Sequence, residues 1–260
     1  MHRLLLDRDV SVRVAAIQAA ASIFARLPAE SRNREVETLL KHVSADKSDT
    51  VKLALAKEVG LILQTLLEEA QSSSLLDWYT TMSIQGDFAF VKACAYNFPG
   101  VLAILGFRGW DRLKSMHSAL AHSNYPQIRQ SIASSLAAVA EQLDWDVRQD
   151  DLLLPHLELL ADSSTIVRET MLINSLAFVR LLPVSASCIS LRQCYEHLMA
   201  RSWSYQIKTD IMDQLAVHAS DLPRQSDSPF WSILGLGLTD QISTVKYAAS
   251  KAVTYLTHSL

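Results

Sequence analysis

The sequence predicts an all-α fold built from stacked pairs of helices, and three observations carry that prediction. A short polar turn followed by Val or Ile, a basic residue and a helical run recurs seven times along the chain. The bases of these joins recur at steps of 37 to 40 residues; they are Arg13, Lys52, Lys92, Arg129, Arg168, Lys208 and Lys246. Apolar residues follow each join at spacings of three and four, the period of an α-helix.

A repeat of this length with two helices is typical of HEAT-type α-solenoids. The predicted fold class is therefore an α-α superhelix of the HEAT or armadillo type, with about seven helix pairs and a truncated first one. We expect one solenoid domain over residues 1–260. Its repeats are expected at about 1–27, 29–69, 74–107, 109–145, 148–183, 185–222 and 229–260.

The first repeat is expected to lack most of its first helix, because only six residues precede the turn that starts at Asp7. A terminal repeat normally carries a polar outer face for solubility. No polar capping helix precedes the predicted second helix, which starts near Ser11 and ends near Leu27. The pattern favours a fragment, or a chain whose N-terminal part lies elsewhere.

Proline, glycine and aspartate mark helix positions in repeats three to five. Pro99 falls inside a second helix, where its missing N–H and its ring are expected to cause a kink. Gly106 predicts the left-handed stop of that helix, and Pro126 suits the first turn of a later one. Asp150 and Asp151 favour a helix N-terminus at the start of repeat five.

Composition and charge exclude several classes of partner. The formal net charge is −3 and the basic residues form no stripe, which disfavours nucleic-acid binding. The apolar runs of the sequence are too short for a membrane span, and no signal peptide is evident. Cys94, Cys188 and Cys194 fit no disulfide framework, so we expect reduced thiols. The expected location is the cytoplasm, with the nucleus as a second compartment.

No pattern of catalytic or metal-binding residues is found in the sequence. It contains no phosphate-binding loop, dinucleotide fingerprint, nucleophile elbow or H-E-x-x-H motif. His117 and His122 are not in ligand register, and Cys188 and Cys194 are too far apart for a C-x-x-C site. We therefore predict no catalytic residues, no metal and no cofactor, and do not expect an enzyme.

The five tryptophans divide into two groups. Trp78, Trp110 and Trp231 lie at core spacing within predicted helices. Trp145 and Trp203 lie at or near repeat junctions, where an exposed indole could anchor a partner. The interpretation that they cover the end of the stack is favoured over that one.

We interpret the seven recurring bases as a structural ladder rather than as direct partner contacts. A turn aspartate can cap the second helix by accepting hydrogen bonds from its first amides, at about 1 kcal/mol. The base can then reach an acidic turn residue of the same or the adjacent repeat, although exposed pairs contribute only about 0–1 kcal/mol. The candidate pairs are Asp9 with Arg13, Asp49 with Lys52, and Asp240 with Lys246.

The turns between paired helices are the predicted surface for protein partners. A solenoid places such turns in a row along one edge, which makes an extended ridge. The candidate partner-binding residues in these turns are Asp46, Asp49, Asp87, Phe88, Asn124, Tyr125, Asp162, Trp203, Tyr205 and Asp240.

One segment of the chain resembles a known family. Phe98-Pro99-Gly100-Val101 lies in an apolar helix and is followed by Trp110 and by Leu113-Lys114. A turn and a base-containing helix from Ile128 to Leu136 come next. This order is similar to that of the protein phosphatase 4 regulatory subunit 1 family, across repeats three to five and extending towards Lys246. The Phe-Pro-Gly-Val segment is its specific part, since the Val-Arg joins are common to all HEAT arrays.

The resemblance implies a non-catalytic scaffold that binds a serine/threonine phosphatase catalytic subunit and presents it to substrates. Two departures from the family are that this chain is much shorter, and that repeats four and six lack the turn aspartate. Two alternatives remain open. A generic HEAT adaptor in nuclear transport or vesicle trafficking would bind cargo or a small GTPase. An enzyme on a helical-repeat scaffold would need a polar cluster on its concave face.

Overall fold

The chain is a series of helices joined by short turns. The computed structural model describes residues 1–66, 70, 73–200, 203–219, 221–222 and 228–258. No strand occurs among these residues, which confirms the predicted all-α class. The chain divides into two compact units, Met1–Ile128 and Arg129–Leu260.

In the described residues, the first unit contains the helices of three repeats, the first helix of the fourth repeat and the first three residues of the helix that follows. Its helices are α1 (His2–Leu5), α2 (Val10–Gln18), α3 (Ala20–Phe24), α4 (Ala29–Ala45), α5 (Asp49–Leu66), α6 (Ser74–Gln85), α7 (Phe88–Leu105) and α8 (Trp110–Ala121). The first helices α1, α4, α6 and α8 contact one another in order, and the second helices α2, α5 and α7 do the same. Each helix thus buries its apolar face against its pair and against its neighbours, as expected of a repeat array.

The second unit has the same two-layer order. Helix α9 (Pro126–Glu141) crosses the boundary between the units. The helices that follow are α10 (Trp145–Val147), α11 (Leu153–Leu160), α12 (Thr165–Val179), α13 (Val184–Ala200), α14 (Tyr205–His218), α15 (Pro229–Thr239) and α16 (Ser243–His258). The first helices α11, α13 and α15 contact in order, and so do the second helices α12, α14 and α16.

One buried polar group of the core, the Tyr79 hydroxyl, has a hydrogen-bond partner in the paired helix. Tyr79 is fully buried in α6, and its hydroxyl donates to the carbonyl of Cys94 in α7 at 2.7 Å. This bond offsets the cost of removing the phenol from water. It also fixes α6 against α7 within repeat three, the repeat with the least regular sequence.

Gly106 and Pro126 lie where the sequence predicted a helix stop and a helix start. Gly106 follows the last residue of α7 with φ of 66°, and its amide donates to the carbonyl of Leu102 at 2.8 Å. The predicted stop is therefore confirmed, since positive φ favours glycine. Pro126 is the first residue of α9, also as predicted. Helical conformation continues through Pro99 to the end of α7.

The start of repeat five differs from the prediction. The helical run begins at Trp145, so Asp150 and Asp151 lie inside a π-helical turn, Arg148–Leu152, and not at a helix N-terminus. Pro155 has no N–H to donate to the carbonyl of Asp151, which disturbs the regular hydrogen-bond ladder at this place.

The second helix of repeat one is divided into α2 and α3 at Ala19. The Ala19 amide donates to the carbonyl of Ala15 at 3.0 Å, and the Ile23 amide donates to the carbonyl of Ala19 at 3.1 Å. Helical hydrogen bonds therefore continue across the division. The predicted single helix and the observed pair occupy the same part of the chain.

Helix α7 has the length and composition of a membrane span, contrary to the expectation from the apolar runs. It has 18 residues with a mean hydropathy of 1.5, and within the described residues it is the helix that meets this criterion. The core helix of a soluble protein meets the same criterion, and one such helix is weak evidence for a membrane. Helix α7 packs against α5, α6 and α8, and buries Phe90, Phe98 and Leu102.

Gly237 of α15 marks a close approach of three helices in the second unit. A Cβ at this position would lie 2.3 Å from Met212 Sδ in α14 and 2.8 Å from Ala249 Cβ in α16. We expect Gly237→Ala to lower the free energy of unfolding by about 1–3 kcal/mol, because the crowded neighbours must move. Urea denaturation followed by circular dichroism measures this change.

Gly235→Ala is the matched control, since a Cβ there meets nothing within 4 Å. It should stabilise the same helix by up to about 1 kcal/mol through helix propensity. A Gly237→Ala protein as stable as the Gly235→Ala protein would contradict the proposed close packing.

Candidate interaction site

Two arginines of the predicted ladder form bidentate ion pairs with the turn of the next repeat. Arg13 Nε donates to Asp46 Oδ2 at 2.7 Å and its Nη2 donates to Asp46 Oδ1 at 3.1 Å. Arg129 makes the same pair of bonds to Asp162, at 2.6 and 2.8 Å. Both pairs are largely buried, with 13% of the Arg129 side chain and 8% of the Asp162 side chain exposed. We call an ion pair between a ladder base and the turn aspartate of the next repeat an inter-repeat clamp.

A third clamp lies between repeats six and seven. Lys208 Nζ donates to Asp240 Oδ2 at 2.7 Å. The acid lies 33 residues after the base in the two arginine clamps and 32 residues after it in this one. The clamps therefore follow the repeat step, and each one links a second helix to the turn of the next repeat.

The same side chains also stabilise the turns inside each repeat. Arg13 Nη1 donates to the carbonyl of Asp7 at 2.8 Å, six residues before it. Arg168 donates likewise to the carbonyl of Asp162 and, at 2.9 Å, to that of Ser163. The Asp162 carboxylate accepts the amide of Ser164 at 2.7 Å, two residues after it. A ladder base thus holds its own turn, and a clamp acid holds its own turn as well as the previous base.

The clamps keep their carboxylates ionised. The hydrogen bond from Arg13 lowers the pKa of Asp46, and the hydrogen bond from Lys208 lowers that of Asp240. Burial raises the pKa of Asp162, but the hydrogen bonds from Arg129 and from the Ser164 amide outweigh burial, so its pKa is lowered overall. These three aspartates, predicted as candidate partner contacts, are occupied by bonds within the array.

The acid of each clamp lies six residues before the base of its own repeat. Asp46, Asp162 and Asp240 precede Lys52, Arg168 and Lys246 in this way. Gly86 holds the corresponding position before Lys92, and Ser123 holds it before Arg129. The bases that would reach these two positions, Lys52 and Lys92, therefore meet no acid in the next turn.

Lys52, Lys92 and Lys246 consequently have other surroundings. Lys52 Nζ lies 3.7 Å from Asp49 Oδ1 of its own turn, as the sequence suggested. Lys246 is exposed, while its predicted partner Asp240 binds Lys208. The predicted acid for Arg13 was Asp9, but Asp9 instead accepts the amide of Ser11 at 2.8 Å as a helix cap. The second helices of consecutive repeats lie side by side. The base of one repeat therefore lies close to the turn of the next repeat.

Two of the predicted contact residues, Phe88 and Tyr125, come together where a clamp is missing. Their rings are in contact, with centroids 4.8 Å apart and planes tilted by 57°. The ammonium of Lys92 lies over the Phe88 ring at 5.9 Å from its centroid. Ser123 Oγ accepts the amide of Tyr125 at 3.3 Å. We call the set Phe88, Lys92, Ser123 and Tyr125 the open clamp.

The open clamp faces solvent. Lys92 is exposed, and 49% of Tyr125 is exposed. Tyr96, one helical turn after Lys92 on α7, is 79% exposed. Exposed tyrosines beside a charged residue are typical of protein contact sites. Asn124 of the adjoining turn is also exposed.

The other predicted contact residues have different environments. Asp87 caps α7 by accepting the amides of Ala89 and Phe90 at 3.0 and 3.2 Å. Asp49 and Tyr205 are exposed in their turns. Trp203 is buried, and its indole donates to the carbonyl of His197 at 2.9 Å, whereas 61% of Trp145 is exposed.

A second line of inter-repeat contacts was missed in the sequence. Arg32 donates to the carbonyls of Leu27 and Thr65 at 2.9 and 3.0 Å, and so connects the ends of two consecutive second helices. Arg148 does the same with Leu143 and Leu181, at 2.7 and 3.1 Å. Both arginines reach a carbonyl 33 residues further on, the same offset as in the arginine clamps. A search for arginines near the start of first helices, with the end of a second helix 33 residues further on, could have found these contacts in the sequence.

The described residues offer no arrangement of metal-ligating side chains. Among them, no group of three or more His, Cys, Asp or Glu side chains is placed to hold a metal ion. Burial raises the pKa values of the Cys94 and Cys194 thiols to about 12, so both stay protonated.

Comparison with known proteins finds a distant similarity. The chain is 25% identical over 206 residues to the human protein named serine/threonine-protein phosphatase 4 regulatory subunit 1, which covers 76% of this chain and 21% of that protein. The mouse and rat proteins of the same name are each 25% identical over 203 residues, covering 75% of this chain and 21% of theirs. No protein-family model matches the chain. The chain spans about a fifth of the length of these relatives, which are named as regulatory subunits.

Proposed function

We propose that this chain is a non-catalytic regulatory scaffold of a serine/threonine protein phosphatase 4-type complex. In this role it binds the catalytic subunit and recruits substrates to it. The observation that carries the proposal is the similarity over three quarters of the chain to relatives that are named as regulatory subunits of that phosphatase. The helical-repeat fold supports it, because such arrays present extended surfaces to protein partners.

The clamps supply the rigidity that a scaffold needs. Bidentate arginine to carboxylate bonds fix both distance and orientation between consecutive repeats. A surface fixed in this way loses little conformational entropy when a partner binds. The turn residues that remain exposed are then available for contact; they include Asp49, Asn124, Tyr125 and Tyr205.

The proposal is tested by direct binding of purified components. We expect the immobilised chain to bind purified phosphatase 4 catalytic subunit with a Kd in the micromolar range or tighter, measured by biolayer interferometry. The catalytic subunit of protein phosphatase 1 serves as the control, and should bind at least tenfold more weakly. Absence of binding to the phosphatase 4 catalytic subunit, or equal binding to both phosphatases, would reject the proposal.

The proposed location is the cytoplasm and the nucleus. Fluorescence microscopy of a tagged chain, together with the catalytic subunit, would check it. Confinement of the tagged chain to another compartment would contradict this part of the proposal.

A further inference from the structure

The open clamp departs from a rule that the described clamps follow. In each of the three clamps the base binds an aspartate that lies six residues before the next base. Lys92 is the base at this position in repeat three, and Ser123 is the residue at the acid position in repeat four. The helix that carries the base is present, but the carboxylate is missing.

The turn that should hold the carboxylate has the hydrogen bond seen in the clamps. Ser123 Oγ accepts the amide two residues further on, that of Tyr125. Asp46 and Asp240 accept the amides two residues after them in the same way, at 2.8 and 2.9 Å. Serine therefore reproduces the local hydrogen bond of the turn but leaves the base of the previous repeat without its acid.

Lys92 has no substitute acid within the part of the chain that the structure describes. No carboxylate there lies within 4.0 Å of its ammonium. Its neighbours are aromatic instead: the Phe88 ring lies below the ammonium, and Tyr125 contacts Phe88 with a tilted ring. A cation bordered by exposed tyrosines attracts an anionic group next to an apolar one.

We infer that the open clamp is a docking site for an acidic residue of a protein partner, whose carboxylate binds Lys92 as the turn aspartate binds the base in the other clamps. A neighbouring apolar side chain of the partner packs on the exposed rings of Tyr96 and Tyr125. This inference rests on the proposed function, and the partner is an acidic and apolar surface segment of the phosphatase catalytic subunit. Charge complementarity favours this occupant, because Lys92 is exposed and has no acid among the described residues, whereas the clamp bases are paired with aspartates.

A first experiment completes the clamp within the chain. Ser123→Asp should supply the missing carboxylate to Lys92 and raise the Tm by about 2 °C relative to Ser123→Asn, since a half-exposed pair is weak. The same comparison in a Lys92→Ala background should show no rise. Two results would overturn the inference: no rise in Tm when Lys92 is present, or an equal rise in the Lys92→Ala background. Either result would show that Ser123 does not lie at a clamp position.

A second experiment measures binding of the purified phosphatase 4 catalytic subunit to the same variants. We expect Lys92→Glu and Ser123→Asp each to weaken the Kd at least tenfold, the first by charge repulsion and the second by occupying Lys92. The controls are Ser123→Asn and Lys41→Glu. Asparagine has the size of aspartate without its charge, and Lys41→Glu reverses the charge of an exposed residue of α4. Both controls should change the Kd less than twofold.

The outcomes separate the two proposals. Wild-type binding that is unaffected by Lys92→Glu and Ser123→Asp overturns the docking site and leaves the scaffold function standing. Equal weakening by Lys41→Glu also overturns the docking site, because net charge alone would then explain the effect. No binding by the wild-type chain rejects the scaffold function, and with it the stated occupant of the site.

Discussion

Replacing Asp162 with alanine is expected to lower the free energy of unfolding by about 3 kcal/mol. The change removes the acid of a bidentate clamp whose two side chains are largely buried, and leaves the Arg129 guanidinium without its carboxylate. It also leaves the Ser164 amide without its acceptor. Breaking one side of a buried pair costs more than the pair contributes, because the remaining charge stays away from water. Urea denaturation of the full chain, followed by circular dichroism, measures the loss.

The control is Asp213→Ala in the same unit. Asp213 pairs with Lys251 at 3.0 Å, but both side chains are more than 40% exposed, so at most about a third of the loss is expected. The pH dependence gives a second test. The folded pKa of Asp162 is lowered, so its contribution is complete above the unfolded value near 3.9 and is lost as the pH falls through the folded value. A loss in Asp162→Ala no larger than in Asp213→Ala would show that the clamp does not stabilise the array.

The clamps show what the sequence could predict and what it could not. The bases were found because their step of 37 to 40 residues is visible without any structure. Their acids were predicted in part within the same turn, as with Asp9 for Arg13, because residues close in sequence are the obvious partners. The observed acid, Asp46, lies 33 residues further on. That distance becomes meaningful only once the second helices are known to stack, so that one repeat's base reaches the next repeat's turn.

The open clamp illustrates the same limit at the candidate site. Phe88 and Tyr125 were both predicted as contact residues, but separately, since their positions are 37 apart in the sequence. The contact between their rings and the position of Lys92 over Phe88 follow from packing that no local pattern encodes. Trp203 was among the candidate contact residues of the predicted turns. It is buried instead, and its indole donates to a backbone carbonyl of α13.

Protonation of one buried histidine, His156, is expected to lower the stability of the second unit by about 3 kcal/mol between pH 7 and pH 4.5. This side chain is fully buried in α11, with its ring 4.8 Å from that of Phe178. Neither ring nitrogen has a hydrogen-bond partner among the described residues. Burial lowers the pKa of His156 to about 3, whereas an unfolded histidine titrates near 6.5. Between these values the unfolded chain binds one more proton than the folded chain, so each unit of pH decrease costs about 1.4 kcal/mol.

The test is His156→Leu, which keeps an apolar side chain of similar size and cannot be protonated. Urea denaturation at pH 7, 6, 5.5, 5 and 4.5 should show a flatter dependence in His156→Leu than in the wild type. The stability at pH 7 should be equal or higher, because two buried nitrogens without hydrogen-bond partners are removed. His122→Leu is the matched control, since His122 is exposed at the end of α8, and its dependence should follow the wild type. The clamp aspartates titrate at lower pH, because their pKa values are lowered. If His156→Leu had the same pH dependence as the wild type, the proton would bind at a group other than His156.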